Sequence, residues 1–226
     1  MPTDRDAEAI AIRPAEPDDI PAIIDIHLAA FPGLFLAQMG RGFLRQYYEA
    51  FVDHREGINR VAEADGRIAG FVVGTASEAA YRESVSRRKG AMVRAALARA
   101  LTAPWLLPRI VGRMPSVRSE TGDPVEREYL EGSAAHLVSI AVLPEASGGG
   151  IGAKLARAFE HAALEAGRSH VYLTTASEDN EAVHRFYRRL GYELVGTRED
   201  ADGTAVSQYA QALDTGQEGP RPAGPE

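Results

Sequence analysis

The sequence predicts an α/β fold, a mixed and mostly antiparallel sheet with helices on both faces, and three observations predict it. The apolar, β-branched run Leu137–Val142 passes through a glycine-rich loop directly into an amphipathic helical pattern, as a buried strand followed by a packed helix does. Two strand-like runs, Ile58–Ala64 and Ile68–Thr75, meet at Asp65-Gly66, a dipeptide suited to a tight hairpin. A last pair, Tyr192–Thr197 and Thr204–Leu213, turns around Asp202-Gly203. With 226 residues, 45% hydrophobic and 25% charged, the chain can bury one substantial core but is short for two.

Taken in order, residues 1–9 are polar and read as a disordered tail. Ile10–Arg13 alternates as a short first strand. Pro17-Asp18-Asp19 opens a helix, since proline suits a first turn and acids suit its dipole. Ile20, Ile23, Ile24, Ile26 and Leu28 give that helix an apolar face, and Phe31-Pro32-Gly33 ends it. Phe43, Leu44, Tyr47, Tyr48 and Phe51 mark a second, aromatic-faced helix. Beyond the hairpin, Ala91–Leu101 favours helix, Pro104 and Pro108 interrupt it around Trp105, Leu106 and Leu107, and the acidic stretch Ser116–Gly132 reads as a loop. Ile151, Leu155, Ala158, Phe159 and Ala162 form the face of the central helix, with Gly167 as its cap. His170–Thr175 is a further buried strand, and Asp179–Leu190 a helix ended by Gly191. Residues 214–226 carry Pro and Gly without periodicity and read as a second disordered tail, leaving 10–213 as a single domain.

The chain has no cysteine, which excludes disulfides, thiolate nucleophiles and cysteine metal sites; no metal site is expected. The first nine residues lack an apolar core, and no apolar run is long enough to span a bilayer. A cytoplasmic protein without stable membrane anchoring is the expectation. The net charge of −7 is uneven: nine basic residues against Glu83 give Ala79–Arg118 a charge of +8, leaving −15 elsewhere. Such asymmetry points to a local anionic partner, not to nucleic acid. The basic segment reads as a solvated helix face, a lid over an anionic substrate, or a membrane-surface patch. Oligomeric state stays open, a homodimer included.

Chemistry concentrates where Pro144 ends the strand and Gly148, Gly149, Gly150 and Gly152 precede the helix. The first N–H groups of a helix lack internal partners, its dipole is positive there, and glycines let an anion approach the backbone. A Walker loop is excluded because Ala153 and Lys154 follow Gly152, and a dinucleotide loop because the next strand ends in Thr174 and Thr175 instead of an acid. The stretch resembles the acyl-CoA loop of the GNAT superfamily of N-acetyltransferases, Gln/Arg-x-x-Gly-x-Gly/Ala after a strand ending in Val-x-Pro. Here Val142-Leu143-Pro144 precedes Ser147-Gly148-Gly149-Gly150-Ile151-Gly152, with Ser147 in place of the usual Gln or Arg. A second segment, from Asn180 through Phe186-Tyr187 to Gly191-Tyr192, is similar to that superfamily's Asn…Phe-Tyr-x-x-x-Gly-Phe at its spacing. The resemblance covers Ala135 to about Ala212 well and the N-terminal half loosely; against that core, 79–132 is a helical insertion.

The resemblance implies acetyl-CoA as acyl donor, held between splayed central strands. The loop from Ser147 would hold the pyrophosphate, through the N–H groups of Gly148, Gly149, Gly150, Ile151, Gly152 and Ala153. Ile140, Ala141 and Val142 would offer main-chain groups to the pantetheine arm. Asn180 would contact the arm, or simply cap its helix. Tyr187 would protonate the departing thiolate as general acid, or be a packed amphipathic tyrosine. The implied reaction moves acetyl to a primary amine of a small acceptor, anionic (an amino sugar derivative, for example) if the basic insertion is a lid. The general base stays open: the central strands offer His136, Ser139, Thr174 and Thr175 but no acid, and His27, Glu63 and Glu78 are unranked. The alternative is a non-catalytic acyl-CoA-binding or sensing module.

Overall fold

In the computed structural model, which describes residues 10–113, 123–200 and 203–214, Asp65 and Gly66 both adopt left-handed backbone (φ 56° and 68°). That geometry matches the twist of two paired strands, and it joins β2 (Gly57–Ala64) to β3 (Arg67–Thr75) as the sequence predicts. With β1 (Ala11–Pro14), β4 (Ala134–Val142), β5 (His170–Ala176), β6 (Glu193–Glu199) and β7 (Ala205–Ala212) they form one seven-stranded sheet in the order β1-β2-β3-β4-β5-β7-β6. Every neighbouring pair is antiparallel except β4–β5.

Side chains alternate across the sheet and feed two cores. Val72, Leu137, Val171 and Leu173 pack on one face with Leu155 and Phe159 of α7 (Ile151–Glu165) and with Tyr187 and Leu190 of α8 (Glu181–Leu190). Val61, Phe71 and Val73 pack on the other with Ile23 and Ile26 of α1 (Ile20–Ala30) and Leu44, Tyr48 and Phe51 of α3 (Gly40–Val52). Each fully buried side chain of this kind contributes roughly 1.5–3 kcal/mol. A short α2 (Phe35–Gln38) between α1 and α3 has no signature in the sequence.

Segment 79–132 is more helical than the sequence predicts. α4 runs Glu78–Thr102, not only Ala91–Leu101, because Ser77 caps it by accepting from Ala80 N and because it has a partner in α3. Tyr81 stacks on Phe51 at 4.3 Å, and Arg88 donates to Glu49 at 2.7 Å and to Asp53. Pro104 breaks α4 into a short turn that buries Leu106 and exposes Trp105, and α5 (Leu107–Arg113) follows. The loop expected over Ser116–Gly132 is corrected in its second half. Pro124–Leu130 is a helix, α6, started by Pro124 at its first turn and by Asp123, whose side chain accepts from Glu126 N. Capping chemistry overrides the acidic composition there. The expected tail 1–9, and 215–226 of the second, lie outside the described residues. No helix among the described residues is long and apolar enough to cross a membrane.

Candidate active site

Both sequence motifs arrive at one end of the sheet. β4 and β5 pair only at Ala134↔His170, Ala135↔Val171 and His136↔Tyr172. Beyond that rung β4 continues to Val142 against β3, and β5 to Ala176 against β7. Their carboxyl ends separate and leave a slot walled by main chain. β4 was expected to be buried on both faces; Val138, Ser139, Ile140 and Val142 are instead half-buried, because the slot denies them a neighbouring strand. A bulge lies at the same place: Val73 faces Ser139 and Gly74 faces Leu137, which leaves Val138 as the extra residue. Bulges of this kind re-aim side chains beside sites.

At the open end, Pro144–Ala146 makes one tight turn. Ser147 closes it, donating from N to Pro144 O (3.2 Å) and from Oγ to Leu143 O (3.2 Å). Gly148 and Gly150 then take left-handed backbone (φ 89° and 76°), and Gly150 caps α7. Among the described residues the N–H groups of 148–153 have no backbone acceptor, and helical bonding begins with Lys154 N to Gly150 O. Gly148, Gly149 and Gly150 are exposed, whereas the Ile151 side chain is in the core, so Ile151 contributes only its N–H. Six donors at the positive end of a four-turn helix fit a diphosphate. Ala153 is half-buried at the end of this cradle.

The second motif stands beside the first. A Cβ on Gly152 would come within 3.4 Å of the Phe186 ring, so the glycine lets α8 lean on the first turn of α7. Asn180 does not cap α8 with its side chain; its Nδ2 donates to Thr175 Oγ1 (2.8 Å) and Ala176 O (3.1 Å), tying the helix to the end of β5. Tyr187 is 5% exposed, its ring against Phe186, Tyr192 and Tyr209. Burial pushes its phenol above the ordinary pKa, so it holds its proton through neutral pH.

The structure separates the other polar candidates. His27 is buried, its Nδ1 2.5 Å from Tyr48 Oη, and burial pulls its pKa down to about 4. Glu63 pairs with Arg13 at 3.2 Å, near the sheet's first edge. Thr175 is engaged by Asn180. His136 and Glu78, distant in sequence, are together: His136 Nδ1 lies 3.2 Å from Glu78 Oε2. Sequence reasoning also missed a polar cluster beside Tyr172. Gln208 Nε2 donates to Tyr172 Oη (3.0 Å) and Asp123 Oδ1 (2.9 Å), Tyr129 stacks on Tyr172, and Arg198 lies 3.3 Å from Glu126. Burial raises the Glu126 pKa against the opposing charges of Arg198 and His136. No local pattern connects residues drawn from α6, β5, β6 and β7.

A parallel strand pair parted above a glycine-capped helix is an arrangement whose N–H groups suit a phosphate-bearing ligand. Residues 20–192 match the Acetyltransferase (GNAT) family, and the chain belongs to that family: it is an acyl-CoA N-acyltransferase, with acetyl-CoA as donor. Solved structures agree in fold. The polyamine N-acetyltransferase of Drosophila melanogaster is similar at TM-score 0.58 and 20% identity, over 91% of this chain and 100% of its own. The ribosomal-protein-S18-alanine N-acetyltransferase of Escherichia coli gives 0.57 and 14%, over 93% and 97%. Salmonella typhimurium yncA, solved with its cofactor acetyl-CoA, gives 0.55 and 16%, over 96% and 98%. No curated protein matches the chain.

Proposed function

We propose that the protein transfers acetyl from acetyl-CoA to a primary amine of a small acceptor. The observation that carries this reading is the coincidence at one end of the sheet: the β4–β5 ladder stops at His136↔Tyr172, and the open end leads to the unpartnered N–H groups of 148–153. The donor's pyrophosphate rests on Gly148, Gly149, Gly150, Ile151, Gly152 and Ala153, with Ser147 shaping the turn. Its arm lies along the main chain of Ile140, Ala141 and Val142, with Asn180 at the far wall. Tyr187 gives its proton to the departing thiolate.

An anionic acceptor such as an amino sugar derivative rests on fewer cations than the sequence suggests. Arg88 is bound to Glu49 and Asp53, Arg87 to Glu83, and Arg99 to Gln38 O. Arg82, Lys89 and Arg94 are exposed and make no ion pair among the described residues, and Arg82 already acts on Glu78, which leaves Lys89 and Arg94 to meet an anion. Free-thiol release from acetyl-CoA should be seen with at least one member of a panel of amino sugars, nucleotide-linked amino sugars, polyamines and peptide N-termini. An anionic acceptor's KM should rise with salt, because exposed charges are screened beyond about 10 Å at 0.1 M. CoA binding without thiol release across the panel would favour the non-catalytic module.

Filling the slot should also stabilise the fold by mass action. CoA at about 100 times its Kd is expected to add roughly 2.7 kcal/mol, read as a rise in Tm. An unmoved Tm at saturating CoA would remove the binding assignment.

A further inference from the structure

We propose that His136 is the general base that deprotonates the acceptor amine, and that Glu78 is the residue that positions it. The proposal rests on the acetyl-transfer reading above and supplies the acid–base half that the central strands otherwise lack.

The placement is fixed by the chain on both sides. His136 sits at the last rung of the β4–β5 ladder, the apex of the slot. Across the other edge of β4 its partner is Thr75, the final residue of β3. Thr75 is fully buried, and its Oγ1 donates to Ser77 O (2.8 Å) and accepts from Ser77 N (3.0 Å). Ser77 in turn caps α4. This locked turn makes Glu78 the first residue of α4 and brings its carboxylate back over the strand that holds His136.

The 3.2 Å contact has a chemical consequence. A carboxylate only accepts, so His136 Nδ1 carries the hydrogen and Nε2 keeps the lone pair a base needs. The side chains remain 18% and 21% exposed, so the pair is sheltered yet reachable. The groups facing His136 are Glu78 of α4, Glu126 of α6 and the Tyr172 ring of β5, whose centroid is 5.8 Å away, and Arg82 of α4 acts on Glu78. Burial would raise the Glu78 pKa, but the hydrogen bond and charge of His136, with Arg82 and His54, hold it below the ordinary range. Glu78 therefore stays anionic and keeps the imidazole oriented.

In the reaction an acceptor R–NH₃⁺ loses its first proton to bulk solvent, and the nitrogen forms its bond to the acetyl carbon. The carbon–sulfur bond breaks with its electron pair on sulfur. The nitrogen's second proton goes to His136 Nε2, and the thiolate takes the proton of Tyr187. His136 releases its proton to water, which also restores the phenol. The sum is R–NH₃⁺ and acetyl-CoA giving R–NH–acetyl, CoA thiol and one H⁺.

The test uses the full chain with acetyl-CoA and the best amine of the panel, and follows kcat and KM for the amine. His136→Gln should lower kcat about 10²–10⁴-fold, with CoA affinity and Tm close to the parent's. Imidazole added to His136→Ala should restore part of the rate. Glu78→Gln should lower kcat about tenfold with the amine's KM nearly unchanged, because it leaves the base in place but unoriented, and Glu78→Asp should recover part of the loss. A His136→Gln enzyme with kcat within threefold of the parent's overturns the proposal while leaving the acetyl-transfer reading standing. If His136→Gln does not fold, a Glu78→Gln enzyme with the parent's kcat overturns it equally. A parent that binds CoA but releases no thiol overturns both.

Discussion

Replacing Gly150 by Asp should weaken CoA binding at least about 100-fold, some 2.8 kcal/mol, and leave the fold intact. Gly150 caps α7 in left-handed backbone at φ 76°, and a Cβ there would meet nothing within 4 Å. The strain of an L-residue in that region is about 1–2 kcal/mol, which a domain of this size tolerates. The new carboxylate would itself be favoured at the helix N-terminus, and so would occupy the same N–H groups the pyrophosphate needs and repel it. Gly150→Ala carries the strain without the charge and should lose much less affinity. Titration calorimetry with CoA measures both; equal affinity in parent and Gly150→Asp would take the phosphate off this loop.

Tyr187→Phe should reduce turnover about 10²–10⁴-fold with CoA affinity nearly unchanged. The substitution keeps the ring against Phe186, Tyr192 and Tyr209 and removes only the hydroxyl. Because burial lifts the phenol's pKa above its ordinary value, the parent keeps this proton across the neutral range. The alkaline side of its kcat profile should therefore stay flat until well above pH 8. Full turnover in the mutant would show that Tyr187 is packing alone and that the thiolate departs unassisted.

Most strands and the principal helices were legible because their signals are local. Asp65-Gly66 specifies a hairpin from two residues, and Gly191 ends α8 at φ 100° as a terminal glycine should. The glycine turn and its run of N–H groups without backbone acceptors were equally legible, since those donors are consecutive residues. What was not legible depends on pairs distant in the chain. The extra length of α4 needs α3 as a partner, and the match of His136 with Glu78 spans 58 residues. The sequence offered both as bases without ranking them; only the β3–β4 register, Thr75↔His136, brings them together. The helix α6 was a different failure. Its cap, Asp123-Pro124, is a local signal set within an acidic stretch whose composition suggests a loop.

The slot between β4 and β5 also bears on how freely this sequence can change. Its walls are strand edges, and an edge presents the same N–H and C=O groups whatever side chains it carries. Ile140 and Val142 are half-buried toward α7 and Ala141 is buried toward α1 and α3, so their side chains answer to packing and the proposed donor meets their main chain. Such a surface stores little of its specification in residue identity. Substitutions that keep volume and strand propensity at these three positions leave it standing, and a fold of this type can persist at the 14–20% identity seen with the solved structures. The letters least free to drift are those whose backbone angles, or whose protons in the proposed reaction, few other residues supply, Gly150 and Tyr187 among them.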